Sequence, residues 1–469
     1  MASMDNTIGT PRRRLGRVSG HHLAIELAET ARLALPMALT QLSQIAMMTT
    51  DLAFIGRLGG EAVAAAALAG TVYFVSFTFG MGLTSAVAPL AAQAFGARDP
   101  SMVRRSVRTG LWAALLLSLP IMAFPLRGEQ ILLLLGQAPP TARLAQHYLF
   151  GLAWGVAPAL WFLAIRSFMG AVNRPQPVLW ITLAAIPVNA LLVYLLMYGK
   201  LGLPRLELFG AGLATTLVNG ATFVAALWIG TRCRPFGDYH ILARLWRIDW
   251  SLMHQLFVIG LPISLAFLME YGMFSAAALL MGLIGTTALA AHQIALQVTA
   301  ILFMIPFGIS MAATVRVGHA AGRNDGAGVR RAGVVAMLLG IAIAAILTVA
   351  VVATRFAIAE FFLGGTVENA AATIELAATL LLVGASFFVT DAIQSIAVGS
   401  LRGLKDTSVP LLYAGIGYWL VGFCLSWLLA FHTGLGAPGV WIGLSIGTAV
   451  YATLLVLRFR RLTSTGAMP

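Results

Sequence analysis

Three carboxylic acids lie inside long apolar runs of this 469-residue chain: Asp51, Glu270 and Asp391. A charge at the centre of a membrane-spanning helix costs about 2.5–3.5 kcal/mol on insertion scales, so an acid kept there usually serves a function. No Lys or Arg lies within a helical turn of Glu270 or Asp391, whereas Asp51 lies near the end of its run with Arg57 close by. The alternative is a structural role, as an interfacial charge or a helix–helix hydrogen bond.

The positions three and four residues from each acid share its helix face, and most of them are Met or Phe. Aromatic faces attract organic cations, and methionine side chains adapt to ligands of varied shape. These neighbours and one adjacent amide form a predicted substrate-binding set: Met47, Phe54, Phe267, Met273, Phe274, Phe387, Phe388 and Gln394.

A buried acid surrounded by Met and Phe side chains can form a pocket that binds cations and releases them when the acid is neutralised. A carboxylic acid in apolar surroundings can bind a proton near neutral pH, and its anion can instead bind Na⁺. Either ion cancels the attraction of the acid for a lipophilic organic cation. We therefore predict ion coupling at Glu270, Asp391 and Asp51, with Glu270 and Asp391 as Na⁺ ligands if sodium is the coupling ion. The residues leave H⁺ and Na⁺ open.

The elements that hold these acids must be membrane-spanning helices. Hydrophobic residues make up 59% of the chain and charged residues 10%, against about 25% charged residues in a soluble domain. Apolar runs recur that are long enough to cross a bilayer, which takes about 20 residues. The predicted spans are 33–56, 62–95, 109–126, 144–170, 178–199, 209–231, 256–281, 286–315, 332–354, 376–400, 409–431 and 438–457.

The net charge of +13 is distributed unevenly along the chain. With twelve spans both termini lie on one side, and the segments on that side hold most of the 30 Lys and Arg residues. This positive-inside bias predicts a multi-pass protein of the cytoplasmic (inner) membrane with both termini in the cytoplasm. It also argues against a nucleic-acid partner and favours contact with anionic membrane lipids. We expect a monomer.

The two halves of the chain repeat each other. Segments 33–39 and 82–99 align with 259–265 and 308–325 at a shift of 226, and SFMGAVNRPQP (167–177) aligns with SLRGLKDTSVP (400–410) at a shift of 233. Each unit holds an even number of spans, so the repeat is parallel, with its axis along the membrane normal. The predicted fold is an all-α integral membrane protein of twelve transmembrane helices in two six-helix lobes related by pseudo-two-fold symmetry.

The repeat also sets the predicted domain boundaries. They are a disordered cytoplasmic tail (1–22), an N-lobe of helices 1–6 (23–235), a cytoplasmic linker (236–252), a C-lobe of helices 7–12 (253–460) and a cytoplasmic tail (461–469). Paired lobes of this kind suit alternating access, in which a cavity between them opens to one side at a time.

Enzymatic motifs are missing from the sequence. There is no Walker A loop, no HExxH and no CxxC, and Cys233 and Cys424 lie in different halves. We therefore expect a transporter and not an enzyme, with no cofactor beyond the coupling ion. The alternative is a flippase for a lipid-linked saccharide, which would favour a cavity lined by Arg or Lys. Only Arg166 lies inside a predicted span.

Several segments together carry a resemblance to a known family. They are TTDLAFIGRLG (49–59), APLAAQAFGA (88–97), LPISLAFLMEYGMF (261–274), AAHQIALQ (290–297), VRVGHAAG (315–322) and DAIQSIAVGSLRGLKDT (391–407). In this combination the chain resembles the multidrug and toxic compound extrusion (MATE) family, in its NorM-like branch. The resemblance implies efflux of small-molecule cationic drugs in exchange for Na⁺ or H⁺, with a C-lobe ion site at Glu270 and Asp391 and an N-lobe site at Asp51.

The stretch AIPVN (185–189) is similar to a family segment that often carries asparagine at both ends. Here Asn189 is kept, and the resemblance implies that it takes part in the binding site. Ala185 replaces the other asparagine. For that reason we rank the C-lobe carboxylates ahead of Asp51.

Overall fold

The computed structural model describes residues 15–364 and 370–464, and every regular element in these ranges is a helix. The helices of the first half, here called the N-lobe, are α1 (Leu15–Gly56), α2 (Gly60–Thr84), α3 (Val87–Gly96), α4 (Pro100–Leu126), α5 (Gly128–Leu134), α6 (Pro139–Ala153), α7 (Val156–Ala171), α8 (Gln176–Tyr198) and α9 (Leu208–Arg232). Those of the second half, the C-lobe, are α10 (Trp250–Ile284), α11 (Thr286–Gly322), α12 (Gly326–Ala353), α13 (Arg355–Leu363), α14 (Ala370–Val383), α15 (Ala385–Gly403), α16 (Ser408–Ala414), a π-helical segment (Gly415–Phe423), α17 (Cys424–Phe431) and α18 (Ala437–Ser464).

Nine spans among the described residues are long and apolar enough to cross a membrane, and there are eleven if each of two bent helix pairs counts as one span. The bent pairs are α6 with α7, at 46°, and α14 with α15, at 47°. Helix α1 is outside this set because Gln41, Gln44 and Asp51 lower its hydropathy. The predicted total of twelve is reached only when α1 is counted as well.

The chain ends differ in part from the predicted tails. Helix α1 begins at Leu15, so the described part of the tail predicted over 1–22 is helical, and residues 1–14 lie outside the described ranges. At the other end, α18 continues to Ser464, and residues 465–469 lie outside the described ranges.

The internal repeat has a local structural basis at the starts of α4 and α12. Asp99 accepts a hydrogen bond from the backbone N–H of Met102 at 3.2 Å, and Asp325 accepts one from Gly328 at 3.0 Å. Each aspartate therefore caps the N-terminus of its helix by satisfying an amide that lacks an intrahelical partner. The aligned aspartates thus cap equivalent helices in the two lobes.

The aligned glycines at the ends of α3 and α11 allow the two lobes to touch. A Cβ atom on Gly96 would lie 2.2 Å from the carbonyl oxygen of His319, and one on Gly322 would lie 2.1 Å from that of Gln93. Gln93 and His319 are themselves related by the repeat shift of 226. The close contact between α3 and α11 is therefore symmetric, and at both points the backbones are too close for any residue larger than glycine.

Side chains reinforce this contact. Gln93 Nε2 donates to the carbonyl oxygen of Gly403 at 2.8 Å, and His319 Nε2 lies 2.6 Å from the carbonyl oxygen of Ala171. Each residue thus reaches the final turn of the bent span in the opposite lobe. The lobes are closed at the end that the charge distribution predicts to be cytoplasmic.

The segment between the lobes, residues 233–249, packs on the N-lobe. It contains a short 3-10 helix (Phe236–Tyr239), and Phe236 and Ile241 are buried against α4 and α7. Trp112 donates from Nε1 to the carbonyl oxygen of Leu245, and Arg105 pairs with Asp249, which caps α10. The linker therefore follows the N-lobe surface up to the first turn of α10.

Candidate functional site

The two C-lobe carboxylates lie on different helices, Glu270 on α10 and Asp391 on α15, which meet through the rings of Phe274 and Phe387. Asp391 is buried and its Oδ1 accepts a hydrogen bond from Gln394 Nε2 at 2.8 Å, while Glu270 is half-buried. They are close enough to interact electrostatically. Two like charges in an apolar interior repel each other, so a proton or a cation bound between them is stabilised. The structure thus brings together the two residues that the sequence analysis paired.

Asp391 also lines a small cavity inside the C-lobe, together with Thr299, Leu302 and Thr348. The two threonine hydroxyls donate to carbonyl oxygens one turn earlier in their helices, so their oxygen lone pairs are free to face the cavity. Pro306 has no N–H, so the carbonyl of Leu302 has no partner in the usual helical pattern. A carboxylate with hydroxyl and carbonyl oxygens forms a donor set of the kind that holds Na⁺ or a proton in transporters.

Two tyrosines lie beside the carboxylates, and the sequence analysis missed both. The rings of Tyr418 and Tyr451 are 5.1 Å apart. Tyr418 interacts electrostatically with both Glu270 and Asp391, and its buried hydroxyl has no hydrogen-bond partner among the described residues. It belongs to the π-helical segment, a geometry often found at functional sites. The only sequence signal is Gly417, which allows this segment to pack against Tyr451.

An aromatic network fixes the position of α15. Trp441 Nε1 donates to His292 Nδ1 at 3.1 Å, and Phe387 packs edge-on against Trp441 with the ring centres 5.6 Å apart. Phe274 packs edge-on against Phe387 at 6.1 Å. Since Phe387 is one turn before Asp391, these contacts position the carboxylate relative to α10 and α11. Trp441 is another residue that the sequence analysis missed.

The N-lobe acid is held inside its own helix bundle. Asp51 Oδ1 accepts a hydrogen bond from Asn189 Nδ2 at 2.7 Å, and Thr215 lies nearby with its hydroxyl donating to the carbonyl oxygen of Ala211 at 3.2 Å. Phe54 packs among tyrosines of α8, one of which, Tyr198, donates to the carbonyl oxygen of Phe54 at 2.8 Å. Asn189 thus remains a partner of Asp51 even though Ala185, one turn earlier, offers no second amide.

A larger cavity lies between the lobes. It contains about 850 Å³ of unfilled space, including the part open to solvent. Its apolar walls come from both lobes, with Met37 and Met81 on one side and Phe267, Phe307 and Met311 on the other. The charged residues that line it, within the described part of the chain, are Arg166 on α7 and Arg402 on α15. Arg402 lies outside the span predicted over 376–400, because the helix continues to Gly403.

The predicted substrate residues fall into two groups. Phe267 lines the cavity between the lobes. The others point into the lobes: Met273, Phe387, Phe388, Gln394 and Asn189 are buried, Phe274 packs on the C-lobe core, and Met47 and Phe54 are half-buried beside Asp51. In this conformation they surround the acids and not the cavity between the lobes. Helical spacing identifies the neighbours of an acid correctly, but it does not show whether their common face points into a lobe or between lobes.

Comparison with known proteins agrees with this architecture. The sequence profile of the MatE family matches residues 36–195 and 262–428. The chain is 67% identical to the probable multidrug resistance protein NorM of Bradyrhizobium diazoefficiens, covering 95% of each chain, and 58% identical to that of Rhodopseudomonas palustris, covering 93% and 92%. A solved outward-facing MATE family transporter superposes with a TM-score of 0.86 at 20% identity, over 95% and 97% of the two chains. The chain therefore belongs to the MatE family of membrane transporters and, within it, to the NorM-like branch.

Proposed function

We propose that this protein is a secondary active multidrug efflux antiporter that exports lipophilic organic cations in exchange for Na⁺ or H⁺. The observation that carries the proposal is the pairing of Glu270 and Asp391 inside the C-lobe, next to an apolar cavity between two symmetric lobes. The names of its relatives, multidrug resistance proteins, support the substrate class.

The proposed cycle uses the closed contact at one end of the lobes. A cation binds between the lobes when the cytoplasmic end is open, and rocking of the lobes then closes that end through Gly96 and Gly322. An ion from the other side reaches Glu270 first, because this residue is half-buried, and then Asp391. Binding of the ion removes the negative charge that favoured the organic cation, so the cation leaves.

The energy for transport comes from the ion gradient. Each tenfold gradient supplies about 1.4 kcal/mol per ion, and each charge that crosses 100 mV adds about 2.3 kcal/mol. One ion per cycle in a tenfold gradient therefore supports a drug gradient of about tenfold, and the membrane potential adds to it when more positive charge enters than leaves. We further propose that the protein works as a monomer in the inner membrane, with both termini in the cytoplasm.

A flippase for a lipid-linked saccharide is the second candidate, and one observation favours it. Such a protein would need cationic groups in its cavity to bind pyrophosphate, and Arg166 and Arg402 both line the cavity between the lobes. The carboxylate pair and the names of the relatives favour the antiporter.

The test is ethidium efflux from proteoliposomes, with a pH gradient and a Na⁺ gradient imposed separately. We expect one gradient to drive efflux in the wild type, and Glu270→Gln and Asp391→Asn to abolish it while the protein still inserts. Glu375→Gln is the matched control, because Glu375 is an exposed acid on α14 of the same lobe. Wild-type efflux by Glu270→Gln would contradict the proposal. If neither gradient moves ethidium in the wild type, the flippase becomes the better proposal.

A further inference from the structure

The cavity between the lobes has a charge opposite to the one that a simple cation pocket requires. Arg166 reaches it from the N-lobe and Arg402 from the C-lobe, and these are its charged lining residues in the described part of the chain. Both lie near the ends of the bent spans, on α7 and α15, at the closed end of the lobes. The lobes thus present two guanidinium groups to one shared space.

Neither guanidinium makes a direct ion pair among the described residues, and Arg402 has only a longer-range attraction to Glu270. Arg166 is half-buried and its Nε makes no hydrogen bond, while Arg402 lies over the ring of Phe267 at 5.0 Å. By contrast, two other half-buried arginines of the chain are paired, Arg316 with Glu26 and Arg458 with Asp406 at 2.9 Å. An unpaired charge in a low-dielectric site is unfavourable unless a ligand supplies the opposite charge.

The remaining walls indicate what such a ligand looks like. Methionine and phenylalanine side chains line most of the cavity, so the body of the ligand is apolar. Guanidinium groups bind carboxylates and phosphates through parallel hydrogen bonds, so its head carries one of these anions. An apolar body with an anionic head is an amphiphile.

We infer that Arg166 and Arg402 form an anion-binding subsite for the carboxylate or phosphate group of an amphiphilic ligand. The inference rests on the proposed function and assigns to these two residues the binding of the anionic group of a substrate. Glu270 interacts electrostatically with Arg402, so a zwitterion can place its cationic group towards the acid and its anionic group on the arginines. Because the guanidinium groups come from opposite lobes, a bound anion also favours the conformation in which this end is closed.

A matched pair of dyes tests this subsite. Tetramethylrhodamine is a zwitterion with a free carboxylate, and its methyl ester is a cation with the same ring system. Fluorescence anisotropy with the purified full-length protein in detergent gives a dissociation constant for each dye. The measured quantity is the ratio of the two constants, ester over acid. This ratio is insensitive to changes that weaken the binding of both dyes equally.

We expect the wild type to bind the acid more tightly than the ester. A double variant, Arg166→Gln with Arg402→Gln, should reduce the ratio by about tenfold or more, because it loses charge-assisted hydrogen bonds to the carboxylate. Replacing both residues by lysine keeps the charge and should retain most of the preference, which shows that the loss is not a folding defect. Arg330→Gln, at an exposed position on α12, should leave the ratio at its wild-type value.

Two results would overturn the inference: a wild-type ratio near one, or a glutamine variant that keeps the wild-type ratio. Competition then separates the two sources of the anion. If dihexanoyl phosphatidate displaces the acid dye, the natural ligand is a lipid phosphate. If this lipid does not displace the dye, the natural ligand is a soluble carboxylate. Failure here is distinct from failure of the antiport proposal, because ethidium carries no anionic group and its efflux tests that proposal separately.

Discussion

Substituting Gly322 by alanine should open the closed end of the lobes. The added Cβ would lie 2.1 Å from the carbonyl oxygen of Gln93, 2.9 Å from its carbonyl carbon and 3.0 Å from the backbone nitrogen of Ala97. All three are backbone atoms of the opposite lobe, so no side chain can rotate away to make room. The helices must separate for the methyl group to fit.

The size of the effect follows from the cost of overpacking. Inserting a methyl group into a close-packed contact costs about 1–3 kcal/mol. That cost applies only to the closed conformation, whereas the helix propensity gained by replacing glycine, about 1 kcal/mol, applies to both conformations and cancels. The closed-to-open ratio should therefore fall by roughly 5- to 150-fold. Gly96→Ala should act in the same direction, since its Cβ would lie 2.2 Å from the carbonyl oxygen of His319.

Double electron–electron resonance can measure this shift from the closed to the open conformation directly. Spin labels at Arg98 and Arg323, which are exposed and lie next to the two contacts, report the separation of the lobes in a background without native cysteines. The distances should lengthen in Gly322→Ala. Gly70→Ala is the control, because no atom of a neighbouring element lies within 4 Å of its added Cβ. If Gly322→Ala gives the same distance distribution as Gly70→Ala, the contact does not hold the lobes closed.

Two further substitutions test other parts of the structure. Asp249→Ala removes a helix cap and the pair with Arg105, so we expect it to lower the free energy of unfolding in detergent by about 1–2 kcal/mol, whereas Asp249→Asn keeps the cap and loses less. The hydrogen bond from Arg105 holds the pKa of Asp249 below its ordinary value, so this contribution is present above about pH 4 and is lost as the pH falls further. Tyr418→Phe deletes a buried hydroxyl that has no partner in the described part of the chain, so the melting temperature should stay the same or rise while ethidium efflux falls.

Each of these expectations has a clear contrary result. Melting temperatures of Asp249→Ala that stay below those of the wild type by the same amount from pH 7 to pH 3 would show that the ion pair contributes nothing. A large loss of stability in Tyr418→Phe would show that its hydroxyl has a partner, such as an ordered water. Unchanged efflux in the same variant would remove Tyr418 from the ion site.

The internal repeat, and the two related lobes that it implies, could be predicted from the sequence because the repeat depends on residues with special backbone roles. Asp99 and Asp325 are matched because both cap helices, and Gly96 and Gly322 are matched because both allow backbones to touch. Such residues cannot be exchanged freely, so they remain recognisable after the surrounding apolar residues have diverged.

The direction of each helix face could not be predicted in the same way. A span such as α10 is apolar on all sides, so its sequence lacks the contrast that marks the buried face of a soluble helix. Glu270 and Asp391 both lie inside the C-lobe, and most of their predicted drug-binding neighbours point into that lobe as well. Arg402 and Tyr418 were missed because one follows the last apolar residue of its run and the other depends on a π-helical segment.

The packing of the linker on the N-lobe has a mechanical consequence. Since residues up to Asp249 are held against the N-lobe, and the first half of α10 also packs on it through Leu256 and Ile259, the two lobes are connected through α10 itself. This connection allows the lobes to rotate relative to each other and prevents them from sliding past each other. Helix α4 has 27 residues and is therefore about 40 Å long. Over a lever arm of that length, a rotation of about 10° moves the far end by about 7 Å.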